Sequence, residues 1–270
     1  MSRTPHPSLV LISWLKSRIR RLARKAFWII LDVIPPKKGL CILLSLDNAI
    51  YRIEGILATN YGGGVHTKHR HTNYHEFFSH RIRANERVLD LGCGDGVLTL
   101  DIARTSGAKI VGVDLKEEKI LMAKELHSHP NIEYRVGDVT KEALNEPFDV
   151  VILSNVLEHL SFRTEFLMHI CRSVKPKRIL IRVPLFERDW RVPLKRELGL
   201  EWRLDPTHEV EYTIESFGKE IAAAGLQIIH QEVRWGEIWS EVRTDQDDTT
   251  PETLDTYLSN SDCADQINIW

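Results

Sequence analysis

No other stretch of the 270-residue chain restricts its local structure as tightly as Glu86 to Thr99, ERVLDLGCGDGVLT. Val88-Leu89-Asp90-Leu91 is a short apolar run, β-branched at its start, of the kind that forms a strand buried on both faces. Gly92-Cys93-Gly94-Asp95-Gly96 then supplies a tight turn, and Val97, Leu98, Leu100, Ile102 and Ala103 return at helical spacing. Strand, glycine turn and helix open a nucleotide-binding βαβ unit. Glycine is wanted there because backbone without Cβ can press against a ligand and take positive φ, while the next helix aims N–H groups at it.

Three acids sharpen that reading. Asp90 lies inside the strand end, where a carboxylate in apolar surroundings needs a partner. Asp114 closes the next apolar run, Val111-Gly112-Val113, about 20 residues past the turn, the spacing at which an acid can accept from ribose hydroxyls. Asp138 follows a third strand in Val136-Gly137-Asp138-Val139. Asp also caps helices and closes turns, but acids at the ends of consecutive strands of one sheet point to a shared crevice.

As a set, VLDLGCGDG at 88–96, VGVD at 111–114, GDV at 137–139 and FDVVILSNVLEHL at 148–160 resemble the motifs of class I S-adenosylmethionine-dependent methyltransferases. The likeness is to their small-molecule branch, which includes the ubiquinone-pathway O-methyltransferases, and it covers roughly Glu86 to His230. It implies a Rossmann-like α/β fold with a seven-stranded, mostly parallel sheet, helices on both faces and an N-terminal helical extension. It also implies S-adenosylmethionine as cofactor. Asp90 and Gly92 to Gly96, with Cys93, Gly94 and Asp95 between, would hold the amino acid half. Asp114 would hold the ribose, Leu115 the adenine face and Asp138 the adenine amino group, with Val139 beside it. Ser154 and Asn155 would line the crevice near the methionine part, and Arg70 would meet the cofactor carboxylate. A dinucleotide fingerprint reads G-x-G-x-x-G where this turn reads G-x-G-x-G, which favours a sulfonium cofactor over NAD. A nicotinamide-dependent oxidoreductase and a non-catalytic cofactor-binding subunit are the alternatives.

The sequence around that core divides into a basic amphipathic arm at 1–36, a helical cap at 37–85, the methyltransferase domain at 86–243 with a lid insertion at 184–211, and an acidic tail at 244–270. Net charge is −2, but Arg3 to Lys38 holds nine Lys or Arg against Asp32 alone. The cations between Leu9 and Ile34 leave no uncharged run long enough to span a bilayer, and the apolar part precedes the basic part, unlike a secretory signal. Leu11, Trp14, Leu15, Ile19 and Leu22 share a stripe, which either packs on the domain or lies on an anionic membrane. Four scattered cysteines form no metal or disulfide pattern and fit a reducing, cytoplasmic location.

Between the arm and the first strand, Asn48 to Leu57 reads as helix and Tyr61-Gly62-Gly63-Gly64 as a hinge. His66, His69, His71 and His75 cluster without a nearby carboxylate pair or thiol, so no metal site is expected. From Glu86 on, strands fall near 87–91, 109–113, 132–136, 148–153, 178–183 and 226–231, with helices near 95–105, 117–126, 161–173 and 213–224. A last strand near 233–241 should pair antiparallel. In the insertion, Trp190 and Trp202 suit an aromatic wall, and Arg188, Arg191, Lys195, Arg196 and Arg203 suit an anion.

Methyl transfer asks the protein mainly to orient a nucleophile and manage its proton. His159, His208 and Glu209 are the candidate catalytic groups, with a backbone-bonding structural role as the alternative for each histidine. The expected acceptor is a small molecule, sugar or lipid-linked compound methylated on oxygen. Nucleic acid is not expected, since no basic stripe crosses the domain and Ser154-Asn155-Val156-Leu157 replaces the Pro-Pro motif of base amino-group methyltransferases.

Overall fold

The computed structural model describes residues 33–140 and 146–244, together with Arg18 and Arg21. Residues 1–32 of the predicted arm at 1–36, apart from those two arginines, and the tail beyond 244 therefore lie outside the described residues. The strands are β1 (Arg87–Leu91), β2 (Lys109–Asp114), β3 (Ile132–Val136), β4 (Val150–Ser154), β5 (Arg178–Pro184), β6 (Leu226–Arg234) and β7 (Glu237–Thr244). They form one sheet in the order β3-β2-β1-β4-β5-β7-β6. The first five are parallel, and β7 runs antiparallel to both of its neighbours. The order reverses beside β1, which opens a crevice at the carboxyl ends of β1 and β4.

Alternation along the buried strands builds a core on each face. Leu89, Leu91, Val151, Leu153 and Ile181 pack against α6 (Arg163–Ser173) and α8 (Ile214–Ala223) through Phe166, Leu167, Phe217 and Ile221. Val88, Ile110, Val150, Ile152 and Leu180 point the other way, onto Phe77 and Phe78 of α3 (Tyr74–Ser79) and Leu98 and Ile102 of α4 (Val97–Ser106). Helix α5 (Glu117–Leu126) follows β2 on the way to β3.

Several boundaries differ from expectation for local reasons. The first described helix, α1 (Pro36–Tyr61), begins twelve residues before Asn48, because Pro36 sits at its first turn, where a missing N–H costs nothing. Helix α4 starts at Val97 because Gly96 takes φ 83° as its N-cap. The last strand begins only at Glu237, since Trp235 and Gly236 make a two-residue hairpin turn after a longer β6. The insertion is a folded element, with a 3₁₀ turn at Phe186–Arg188 and α7 (Arg191–Glu197). Helix α2 (Thr67–Thr72) precedes α3.

Candidate active site

The glycine turn holds Gly92, Gly94 and Gly96 at φ 74°, 57° and 83°. A Cβ on Gly92 would come 2.7 Å from Val156 Cγ2, and one on Gly96 would overlap the Tyr134 hydroxyl, so neither position has room for a side chain. Its N–H groups are largely committed inside the protein. Gly92 and Cys93 donate to the Val113 carbonyl at 2.7 and 3.1 Å, and Gly96 donates to the Cys93 carbonyl at 3.0 Å. Gly94 donates to Asp114 Oδ2 at 2.9 Å, while Lys116 N–H donates to Asp114 Oδ1 at 2.9 Å. The turn is thus stitched to the end of β2, and the Asp114 carboxylate is held in one orientation with further lone pairs to offer.

The remaining predicted cofactor residues are distributed less evenly. Asp90 is buried at 2% exposure beneath the turn, where it accepts from Thr99 Oγ1 at 2.6 Å. Burial pushes its carboxyl up to about 7, against the Thr99 hydrogen bond and with the nearby Asp114 charge adding to the rise. The Cys93 thiol does not face the crevice: it packs with Ile120, Ala123 and Tyr134, and burial raises its pKa, so it is an inert filler behind the turn. Asp95 stands half-buried, and its carbonyl accepts from His127 Nδ1 at 2.5 Å. Leu115 is exposed just past β2. Asp138 accepts from Thr140 N–H and Oγ1 at 3.1 and 2.6 Å, closing a local turn beside Val139, which packs on the core. Arg70 is exposed on α2, whereas Lys68 of that helix pairs with Glu237 at 2.9 Å.

At the end of β4, Ser154 is half-buried and Asn155 takes φ 58°. Asn155 N–H donates to the Arg182 carbonyl and its Nδ2 to Glu158 Oε1, both at 2.8 Å. Glu158, which sequence reasoning did not single out although it lies within the quoted motif, is fully buried, with Oε2 lacking any hydrogen-bond partner. Burial moves its carboxyl up to about 7. Its carbonyl accepts from Glu209 N–H at 2.7 Å, which ties β4 to the end of the insertion. The Glu209 side chain is exposed, and the buried carboxylates beside His208 are Glu158 and Glu211.

The two histidines do come together. Their rings lie 4.7 Å apart at 76°, His159 exposed and His208 buried. His159 Nδ1 bonds Thr207 Oγ1 at 3.0 Å, and burial lowers the pKa of its ring. His208 Nδ1 lies 3.1 Å from Glu211 Oε1, and Glu211 is paired with Arg188. With Nδ1 bonded to the arginine-held Glu211, the tautomer that donates there leaves His208 Nε2 as a proton acceptor. Among the described residues, the ligand atoms of Glu158, His159 and His208 all lie within 4.8 Å of one another, so this set, and not the run of histidines from His66 to His75, could hold a divalent metal.

A second network backs the same sheet edge. Arg182 forms a buried bidentate pair with Glu237 at 2.9 and 2.8 Å and sits 4.3 Å from the Tyr74 ring. Burial, reinforced by Arg182, takes His69 down to about 4, so this ring is neutral. Only sequence-distant strands create these pairs, and no local signal announces them. The insertion cations are likewise engaged by neighbours: Arg191 with Asp189 and Asp47, Lys195 with Asp47, and Arg203 with Glu201. Arg196 lies over the Phe186 and Trp202 rings. Trp202 packs on Phe186 at 5.2 Å, while Trp190 is 70% exposed and forms no wall.

Sheet order, the reversal beside β1 and the glycine turn define the class I methyltransferase fold. Residues 66–231, more than half of the chain, match the family described as methyltransferase domain, and the chain belongs to that family. The ubiquinone biosynthesis O-methyltransferase of Bradyrhizobium diazoefficiens is 35% identical over 130 residues, 46% of this chain and 50% of that protein. That of Agrobacterium fabrum is 33% identical over 164 residues, 57% and 64% of the two chains. The chain thus spans half to under two thirds of the length of these curated relatives. Among solved structures, a Synechocystis magnesium protoporphyrin IX methyltransferase with bound S-adenosylhomocysteine is similar at TM-score 0.51 and 17% identity, over 64% of this chain and 83% of that one. The cyclase SpnF is similar at TM-score 0.53 and 16% identity, over 64% and 80%. These structural likenesses speak for the fold alone.

Proposed function

We propose that this chain binds S-adenosylmethionine and transfers its methyl group to a hydroxyl oxygen of a small molecule. One observation carries the reading: the Asp114-anchored glycine turn at the end of β1 and the Glu158, His159 and His208 cluster after β4 lie at the ends of hydrogen-bonded neighbouring strands. The first suits the adenosyl ligand and the second the acceptor.

The cofactor, when bound, supplies an activated methyl group and its own leaving group. What remains for the protein is to aim the acceptor oxygen and accept its proton. His208 Nε2, oriented through Glu211 and Arg188, is the group suited to that proton. A divalent cation held by Glu158, His159 and His208 would serve the same end by lowering the pKa of the acceptor hydroxyl. Metal-free protein decides between them. Activity that survives exhaustive chelation assigns the proton to His208, and activity restored only by added metal assigns it to a cation.

Calorimetry with S-adenosylhomocysteine tests the cofactor reading. The wild-type chain should bind it, and Asp114→Ala should weaken binding by about tenfold or more, since a carboxylate bonded to two ribose hydroxyls carries charge-assisted bonds. Equal behaviour of the two proteins would remove the reading. A lipid-linked acceptor belongs to the same proposal, with the exposed apolar side chains of α1 as its contact with a membrane surface.

A further inference from the structure

A cavity of about 450 Å³ lies between α1 and the insertion. Arg188 both lines it and pairs with Glu211, the partner of His208, so the cavity adjoins the ion pair that orients the proposed proton acceptor.

Its wall is unsuited to a greasy ligand and to a strongly charged one. Among the described residues, five cationic and four acidic side chains line it, and most of them neutralise one another in place. Lys195 Nζ bonds Asp47 Oδ2 at 2.8 Å and Asn48 Oδ1 at 2.7 Å, and Asn48 Nδ2 bonds the Glu201 carbonyl at 2.7 Å. What such a wall presents is a fixed array of donors and acceptors with little net charge. Neutral polyols, in which every hydroxyl both donates and accepts, match it; phosphates and long apolar chains do not.

The independent observation is Trp235. It occupies the first position of the two-residue turn between β6 and β7 at φ 45°, followed by Gly236 at φ 79°. Turns with two positive φ values favour Asn, Asp or Gly at that position, and a bulky residue there is strained. The turn is tied to the end of β5, because Leu185 N–H donates to the Gly236 carbonyl at 2.9 Å, and Gly236 packs so closely on Arg188 that a Cβ there would come 2.5 Å from Arg188 Cβ. Nor is the ring buried to compensate: it is 63% exposed, lines the cavity, and stacks on His71 at 6.0 Å. A strained, exposed indole beside hydroxyl-matching side chains is a surface for the C–H face of a sugar ring, and Tyr51 and Trp202 offer two more aromatic faces on the same cavity.

We infer that this cavity seats a saccharide, so that the acceptor methylated by the chain is a sugar hydroxyl, with Trp235 as the stacking residue. The inference rests on the methyltransferase reading for the word acceptor, but not for the binding. On transfer, the sugar oxygen forms the new C–O bond, the C–S bond of the cofactor breaks, and the hydroxyl proton leaves to the acceptor cluster.

Saturation-transfer NMR on the full chain, with and without S-adenosylhomocysteine, tests it using methyl pyranosides of glucose, galactose, mannose, rhamnose and glucuronic acid at millimolar concentration. At least one should bind, catechol and inorganic phosphate should not displace it, and Trp235→Asn should weaken it about tenfold. Asn is favoured in this turn, so the same variant should melt higher than wild type; a merely structural Trp235 would make it melt lower. Binding of S-adenosylhomocysteine with no pyranoside signal, displacement by phosphate, or unchanged pyranoside binding in Trp235→Asn would each overturn the inference. Pyranoside binding without S-adenosylhomocysteine binding would sink the methyltransferase reading and leave the saccharide site standing.

Discussion

Asp90 shows what a single carboxyl can cost. In an unfolded chain it ionises near 3.8, but in the fold burial holds it to about 7, with only Thr99 bonding it. The folded state therefore keeps its proton longer than the unfolded state. Stability is at its full value below pH 4 and falls as pH rises through 7, by up to roughly 4 kcal/mol for this group. Asp90→Asn, which keeps a Thr99 partner and carries no charge, should match wild type in thermal melts near pH 4 and exceed it near pH 8. A constant difference across that range would mean that Asp90 is ionised in the fold. Gly96→Ala works through space instead: at φ 83° against Tyr134, it should lower stability by about 1–3 kcal/mol and weaken S-adenosylhomocysteine binding together, read by melts and calorimetry. The aspartates were legible because motif spacing places them at strand ends. Arg182 and Glu237 were not, because 55 residues separate them and only the β5–β7 register joins them.

The elements of the sheet could be read because fully buried strands are short, apolar and punctuated by glycine and charge. Helix α1 was harder to read. Ile42, Leu43 and Leu46 stay exposed, so apolar spacing does not mark a buried face; its docking rests on polar contacts with the insertion. Asp47 takes both Arg191 and Lys195, and Lys195 is 8% exposed. Asp47→Ala strands a buried ammonium with Asn48 as its remaining partner and should cost about 2–3 kcal/mol in urea unfolding. Lys195→Met leaves Asp47 its bond to Arg191 and replaces the charge by an apolar chain, so its cost should stay near 1 kcal/mol or below. If the reverse order is measured, the contact is held by packing of the lysine stem and not by its charge. The insertion, expected as a lid, carries α7, and its cations Arg191, Lys195 and Arg203 are paired with Asp47, Asp189 and Glu201, partners that lie far in sequence or that spacing alone does not announce.

On the scale of the whole molecule, the polar cavity and the apolar exterior of α1 ask for different surroundings. Ile42, Leu46, Ile53 and Leu57 recur at spacings of four, seven and four, and each is 52–59% exposed, so α1 carries an apolar stripe beside its cavity face. No helix among the described residues is long and apolar enough to cross a membrane, so a lipid contact by this stripe would lie in the interface. Lys37 and Lys38 open the helix, and the sequence before it is rich in cations, which adds attraction to anionic headgroups that salt should screen. The full chain should therefore co-float with vesicles containing phosphatidylserine at low salt, and less so with phosphatidylcholine alone or in high salt. Leu46→Glu with Ile53→Glu should abolish flotation while leaving S-adenosylhomocysteine affinity unchanged, because neither side chain touches the glycine turn or the histidine pair. Flotation that resists both substitutions and salt would move the membrane contact off α1, and absence of flotation from the outset would leave the acceptor to be met in solution.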